Sequence, residues 1–564
     1  MSLQRVSSIE TFTTVSTVPR SRRASDAATR ARKLTFNPLP SSWDPPAVVQ
    51  PQALGAFHVP GWKRLLQVAA AVVVCFFAAG IVFGYAALKP VLKSEGAYRH
   101  LCSVSDELFD DEDMCVEFHL NLMFTTAAVA TNVVALPVGT ILDHYGPRVC
   151  GLLGSFFLAA GALLMAFEER LPFDGLLFGY LFLALGGPFT YIPSFQLSNA
   201  FPRHSGSILA LLTGAFDASS ALFLIYRLIY QATEGAFGRR DFFLAYLAVP
   251  VTLLLLQVTL MPAQSYKTVG ELVEEIEAPL HVAADAGPYD QVDEETALLQ
   301  EEEREQRAEV IESVQSILGA ANVDKQTRRE EDINKSSGVW GVMHRYSAWE
   351  QIKSPWFILI CLFTVVQMTR INFFVATIRR QYESLFASHR DAIALNDFFD
   401  VALPVGGILA IPFIGTILDH TSTLTVLVIL VSCSTTIGVL GIIPRAIWAG
   451  YANVILFVLF RPFYYTAVSD YSAKVFGFKT FGTVYGTIIC LSGILNFSQS
   501  GLDYLFEKTF EGDPMPVNLL LLGLGLGIGI VLVAFVRVKA RSIRRSVLEQ
   551  EARDAFGEGA ALAR

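Results

Sequence analysis

Residues Gly139–His144 read Gly-Thr-Ile-Leu-Asp-His, and the same six letters return at Gly415–His420. The separation is 276 residues, about half of the 564-residue chain. Fainter echoes keep nearly that offset: Pro188-Phe-Thr-Tyr191 matches Pro462-Phe-Tyr-Tyr465, and Gly206-Ser207 matches Gly482-Thr483. Each hexapeptide closes an apolar run of helical length and opens a short polar loop. The chain is therefore read as two copies of one module.

The module belongs in a membrane. Hydrophobic residues make up 52% of the chain and charged residues 17%, with mean hydropathy +0.45, less charge than a soluble protein of this size carries. A bilayer core about 30 Å thick needs roughly 20 apolar residues per helix. The chain offers twelve such runs: Leu65–Leu88, Phe118–Leu142, Val149–Phe167, Gly175–Ser194, Gly206–Tyr230, Phe242–Met261, Pro355–Ile378, Leu395–Leu418, Leu424–Ile443, Ala446–Val468, Gly482–Leu505 and Pro516–Val536. They are too long for barrel strands. The expected fold is an all-α membrane protein, with twelve transmembrane helices in two six-helix repeats, residues 61–261 and 354–537. Residues 1–60 are rich in Ser, Thr and Arg, have no apolar core of the signal-peptide kind, and read as a disordered tail. Residues 262–353 are acidic and read as a tether between the modules, and residues 538–564 as a second tail. The net charge of -9 sits mostly in these loops and gives no reason to expect nucleic acid as a partner. The expected partners are the lipid bilayer and a small molecule, with the chain acting as a monomer.

Lys63 and Arg64 precede the first run, and Arg537, Lys539, Arg541, Arg544 and Arg545 follow the last. The positive-inside rule then places both termini, both hexapeptides and the central loop in the cytosol, although Arg379, Arg380 and Arg390 run against it. The expected location is the plasma membrane, with a vacuolar or lysosomal membrane as the alternative. Cys75, Cys150, Cys361, Cys433 and Cys490 fall within predicted helices, whereas Cys102 and Cys115 fall in the first exterior loop. In an oxidising compartment that pair reads as a disulfide, the alternative being two free thiols. No Cys/His cluster has metal-ligand spacing, no Gly-rich phosphate loop is present, and no nucleophile–base pair stands out. The sequence implies no cofactor, no metal, no ATP-driven pump and no enzyme.

The first hexapeptide continues as Gly139-Thr-Ile-Leu-Asp143-His-Tyr-Gly146-Pro-Arg148. This resembles the Gly-x-x-x-Asp-x-x-Gly-Arg signature between spans 2 and 3 of the major facilitator superfamily. The resemblance implies that Gly139 allows close helix contact. It also implies that Asp143 latches the cytosolic side shut by facing a helix N-terminus and the charge cluster around Arg148. The second copy keeps Gly415 and Asp419 but lacks the later Gly and Arg, so a weaker second latch is expected. A narrower resemblance rests on Arg370-Ile-Asn-Phe-Phe-Val-Ala-Thr-Ile, the two-cysteine first outer loop, Asn199-Ala-Phe-Pro202 and the charged central loop. These look like the L-type facilitative amino acid transporters and the related apicomplexan amino acid transporter family, over nearly all of residues 60–540.

A charge inside a spanning helix is costly and marks a functional position. Arg370 stands about 22 Å along its helix from Pro355 at 1.5 Å per residue, and Arg461 immediately precedes Pro462. In the fold that the resemblance implies, both helices line the cavity, and a guanidinium holds a carboxylate by a bidentate pair. Each arginine could equally belong to a structural ion pair, with Asp217, Asp397 and Asp400 as available partners. Tyr191, Phe373 and Tyr465 are candidate aromatic contacts for substrate, with helix packing as the alternative. Gly186-Gly187-Pro188 and Pro193 predict a break in the fourth helix where it lines a cavity. Gly80, Gly84, Gly523, Gly525, Gly527 and Gly529 read as packing glycines. Glu294–Leu299 fits an acidic dileucine address, a string frequent by chance in acidic loops, and Asn334–Ser336 a sequon that a cytosolic loop would leave unmodified. The expected activity is carriage of a free amino acid by alternating access, its carboxylate held by an arginine. The alternatives are a proton-coupled carrier of organic anions and a nutrient sensor that binds without transporting.

Overall fold

The computed structural model describes residues 54–55, 59–102, 112–201, 204–267, 337–344, 346–386, 388–496 and 498–562. The first 53 residues, most of the acidic tether with its dileucine string and sequon, and Pro202 and Arg203 lie outside the described residues. Among the described residues, eleven helices are long and apolar enough to cross a membrane. In chain order they are spans 1 to 6 (Gly61–Ser94, Phe118–Tyr145, Pro147–Ala166, Gly175–Ala200, Ser205–Ala232 and Arg239–Thr259), spans 7 to 10 (Pro355–Leu385, His389–His420, Thr423–Leu440 and Ile447–Phe476) and span 12 (Met515–Arg545). Span 11 differs from the single run expected. Its helix Phe481–Leu495 stops at Asn496, and a separate short helix, Ser498–Tyr504, follows. The last helix also outruns its apolar stretch, continuing unbroken from Met515 to Leu562.

Two spans bend where they face one another. Span 1 passes from the helix Gly61–Ala78 through a tighter turn at Ile81–Gly84 into the helix Tyr85–Ser94. The Gly80 N–H donates to Ser219 Oγ of span 5 (2.9 Å), and span 5 is itself interrupted at Ser219–Ser220. A Cβ on Gly80 would stand 2.7 Å from the Phe216 carbonyl oxygen, so only glycine permits this approach. Span 4 corrects a sequence expectation. Its helix runs unbroken through Gly186, Gly187 and Pro188 and tightens only at Phe195–Ala200, after Pro193. Gly186 and Gly187 instead let spans 3 and 1 approach, at Leu158 and at the Ala79 carbonyl. Of the four span 12 glycines, Gly525 and Gly529 pack, against Gln367 and Val431, whereas Gly523 and Gly527 have nothing within 4 Å of an added Cβ.

The two halves are joined at the edge that carries the hexapeptides. There the helix Ser205–Ala218 of span 5 packs on span 8, and span 11 packs on the end of span 2, Ala135–Tyr145. One apolar core runs through this edge and takes residues from both halves, including Leu142, Phe195 and Leu209 on one side and Leu418, Phe481 and Tyr485 on the other. A second core, built around Tyr85, Tyr180, Phe223 and Phe243, belongs to the first half alone. Beyond the Ser219–Ser220 turn, span 5 leaves span 8 and packs on span 1.

The tether is fastened at both ends. Leu54–Gly55 pairs in parallel with Tyr266–Lys267. The buried Tyr266 donates its hydroxyl to Gln67 Oε1 (2.8 Å), and its carbonyl accepts from Asn199 Nδ2 (2.9 Å). At the other end Gly341 and Met343 donate to the carbonyls of Lys474 and Val475, and Gln351 Nε2 donates to the carbonyl of Phe476. The edge opposite the hexapeptides is pinned within the first half. Arg239 donates to Glu168 (2.8 Å), while Glu95 accepts from the Arg239 backbone N–H (2.8 Å). Cys102 and Cys115 are joined in a disulfide, as the loop cysteines predicted. Peptide mapping without reduction should recover the two cysteines linked, and alkylation of both thiols in intact, unreduced cells would contradict it.

Candidate functional site

The two copies of the hexapeptide do the same thing to opposite halves. Asp143, near the end of span 2, accepts hydrogen bonds from the backbone N–H groups of Gly482 (2.9 Å) and Thr483 (2.7 Å) at the start of span 11. Asp419, near the end of span 8, accepts from the N–H groups of Gly206 (2.7 Å) and Ser207 (3.2 Å) at the start of span 5, and from the Ser207 hydroxyl (2.6 Å). The first N–H groups of a helix have no partner within the helix, and the macrodipole places partial positive charge there. A carboxylate at that point is stabilised by up to about 2 kcal/mol when partly buried. The glycines make the approach possible. A Cβ on Gly139 would fall on the Gly482 carbonyl, and one on Gly415 would stand 2.7 Å from the Ser207 hydroxyl.

The second copy makes the same kind of contact as the first although it lacks the later Gly and Arg, and the reason is local. Neither the later glycine nor the arginine takes part in the contact. Gly146 adopts φ 82° to turn the chain into span 3, where a Cβ would stand 2.7 Å from the Ala263 carbonyl oxygen. In the second copy Ser422 makes the corresponding turn in an extended conformation and caps span 9 by accepting from the Thr425 N–H. Arg148 donates to the Met261 carbonyl (3.1 Å), whereas Asp143 takes its hydrogen bonds from span 11.

Between the halves, near the middle of spans 5 and 10, lies an ion pair. Arg461 Nη2 stands 3.7 Å from Asp217 Oδ1, with side chains 12% and 3% exposed. This is outside hydrogen-bond distance. Both Asp217 Oδ1 and Arg461 Nε are buried without a hydrogen-bond partner among the described residues. The guanidinium lies 5.9 Å from the ring centre of Phe83, in the turn of span 1. Tyr465, one turn along span 10, places its hydroxyl beside the same guanidinium. On span 8, Gly407 keeps room for the carboxylate, because a Cβ there would stand 3.1 Å from Asp217 Cβ. Tyr191 of span 4 completes the wall. Its hydroxyl pairs with Thr213 Oγ1 (3.0 Å), and its ring packs on Phe216 and Phe195. Phe195 in turn touches Tyr485 of span 11, across the join between halves.

The sequence candidates therefore divide. Arg461, Tyr465 and Tyr191 come together, and Asp217 joins them as the ion-pair partner of Arg461. Arg370 points elsewhere: its Nη1 donates to the Ser434 carbonyl (2.7 Å) and hydroxyl (3.1 Å) on span 9, and its Nη2 lies beside Gly438. Phe373 packs on Phe506, with Val517 and Leu521 of span 12. Spacing along span 7 could not separate these directions, because both residues are compatible with a cavity face. The contribution of Phe83 was missed; the Gly80-x-x-x-Gly84 pattern that bends span 1 was its only signal. Arg370→Lys should leave substrate affinity within about threefold of the parent, because lysine keeps the charge and can still reach the Ser434 carbonyl. A tenfold or larger loss of affinity at normal expression would put Arg370 in the substrate path. The cleft lined by Ala71, Val74, Thr190, Gln257 and Met261 belongs to the first half alone and contains neither Arg461 nor Asp217.

Residues 75–500 match the family model described as Major Facilitator Superfamily. Protein FMP42 of Saccharomyces cerevisiae is 47% identical over 465 residues, covering 81% of this chain and 91% of its own. Equilibrative nucleobase transporter 1 of Bos taurus is 24% identical, covering 79% and 90%. Amino acid transporter 6-1 of Toxoplasma gondii is 22% identical, covering 79% and 74%. Among solved structures, the transporter FucP in its outward conformation superposes with TM-score 0.53 at 10% identity, covering 84% of this chain and 99% of that one.

Proposed function

The chain belongs to the major facilitator superfamily, and from that premise we propose that it carries free amino acids across a membrane by alternating access. Arg461 holds the substrate carboxylate midway between the two halves. The observation that carries this reading is the buried guanidinium itself. It sits where both halves meet, with one N–H unpartnered and its acidic neighbour beyond hydrogen-bond distance. A desolvated guanidinium with a free edge is suited to a carboxylate. Tyr465 and Phe83 stand beside it, and Tyr191 packs on Phe216 of span 5, as aromatic contacts for the organic part.

The paired latches supply the moving part. Both carboxylates are docked, so the hexapeptide edge is shut in this state, and releasing both helix starts is what opening that edge requires. We take that edge as cytosolic, with both termini on the same side, and the plasma membrane or a vacuolar or lysosomal membrane as the site of action. Members of this superfamily act as carriers, and the family membership supports a small-molecule substrate handled by a single chain.

Similarity to an amino acid transporter over 79% of the chain supports the substrate class. Similarity to a nucleobase transporter over the same share favours a second reading, in which a purine sets its ring edge against Arg461 and Asp217. Uptake of labelled compounds into vesicles containing the purified protein separates these readings. Saturable uptake of amino acids that excess nucleobase does not compete is the expected result. Uptake of nucleobases alone would replace the first reading with the second. Ligand binding without any uptake would favour a sensor, and uptake of a monocarboxylate driven by a pH gradient would favour an organic-anion carrier.

A further inference from the structure

Resting on the amino acid reading, we infer that Asp217 is the reader of the substrate's ammonium group, so that a zwitterion is bound by parting the Asp217–Arg461 pair. Three observations support it. The partners come from opposite halves, Asp217 from span 5 and Arg461 from span 10. Their charged atoms stand 3.7 Å apart, in contact range but without a hydrogen bond. Both keep a buried polar atom without a hydrogen-bond partner, Asp217 Oδ1 and Arg461 Nε, so each has bonding capacity to spare.

The chemistry follows from charge balance. A buried pair broken by removal of one partner leaves a desolvated charge without compensation, which is strongly unfavourable. A ligand bearing only a carboxylate does this to Asp217: it takes Arg461 and strands the acid. A ligand bearing only an ammonium strands Arg461. An α-amino acid carries both charges on one carbon and exchanges a single loose pair for two, with no charge left over. The site then rejects analogues that lack either group, because each such analogue leaves a buried polar partner unmet. Nothing else charged is found against Asp217 among the described residues: Thr213 lies one turn away on the same span, with Tyr191 of span 4 on its hydroxyl, Tyr465 of span 10 stands nearby, and Gly407 faces it from span 8. Because the ligand reaches one half through its carboxylate and the other through its ammonium, only a zwitterion ties the two halves together at the centre.

The test uses the full-length protein and thermal-shift titration with two probe sets. One is L-leucine with isocaproate, which lacks the ammonium, and isoamylamine, which lacks the carboxylate. The other is L-phenylalanine with hydrocinnamate and phenethylamine. For the parent protein, at least one amino acid should bind roughly 100-fold or more tighter than either of its analogues. Asp217→Asn should weaken that amino acid and bring its carboxylate analogue to within about tenfold of it, since Arg461 is then the uncompensated charge. Asp217→Glu, which keeps the charge, should retain most of the discrimination. Equal binding of the carboxylate analogue and the amino acid to the parent would overturn the inference, as would unchanged discrimination in Asp217→Asn. If neither amino acid binds the parent while adenine does, it is the amino acid reading that fails, and this inference goes with it.

Discussion

Leucine in place of Gly139 should hold the hexapeptide edge open and stop net transport. Gly139 and Gly482 meet backbone to backbone, and a Cβ on either would fall on the carbonyl group of the other. A flexible side chain could yield, but here the obstacle is main chain on both sides. To accommodate leucine, spans 2 and 11 must separate, and the two hydrogen bonds that Asp143 accepts from Gly482 and Thr483 go with them. Overpacking costs about 1–3 kcal/mol, and the lost helix-terminus contact adds up to about 2 kcal/mol. Together these reach about 5 kcal/mol, a shift of the closed-to-open ratio of up to a few thousand-fold, since each 1.4 kcal/mol is roughly a factor of ten.

The shift can be read by alkylation. Tyr485 lies behind the latch, between the halves, with its ring against Phe195. In a background lacking the free cysteines Cys75, Cys150, Cys361, Cys433 and Cys490, Tyr485→Cys should be protected from a reagent applied at the hexapeptide face and exposed once Gly139→Leu is added. Unchanged protection together with normal transport would show that this contact is not a gate. Asp143→Asn and Asp419→Asn should each shift the ratio less, roughly 5- to 30-fold. The two should act alike, because each carboxylate accepts from the first N–H groups of a span in the other half.

Arg461→Met should abolish uptake and cost about 3–5 kcal/mol of stability, because it leaves Asp217 as a buried charge without its partner. Adding Asp217→Asn should restore most of that stability, since removing both members of a buried pair is close to neutral. It should restore none of the transport. The combination therefore separates two roles for one residue. Melting temperature follows the pair as a structural element, whereas uptake follows the guanidinium as a ligand to substrate. Uptake by the double variant at anything near the parent rate would remove Arg461 from the binding site. A single variant as stable as the parent would show that the pair is solvated and lies outside the low-dielectric interior.

The sequence by itself determined the architecture. A hydrocarbon interior accepts only helices with every backbone group paired, so runs of about 20 apolar residues specify spans almost without reference to one another. The repeated Gly-Thr-Ile-Leu-Asp-His specified the duplication and marked Asp143 and Asp419, the carboxylates that join the halves. Cys102 and Cys115 were legible as a pair because they alone fell outside the spans. Tertiary structure decided which way each side chain points. Arg370 and Arg461 are equivalent as letters, each a charge inside an apolar helix, yet one is turned to Ser434 of span 9 and the other to Asp217 of span 5. The difference lies in how spans 7 and 10 are rotated about their axes, which is set by packing against neighbours distant in sequence. The same holds for the latches. The letters after Asp419 suggested a degraded copy, but what Asp419 binds is the backbone at Gly206 and Ser207, and backbone N–H groups leave no trace in sequence. Span 4 stays helical through Pro188, and Gly186 and Gly187 serve contact with Leu158 and Ala79, partners that exist only in the folded bundle.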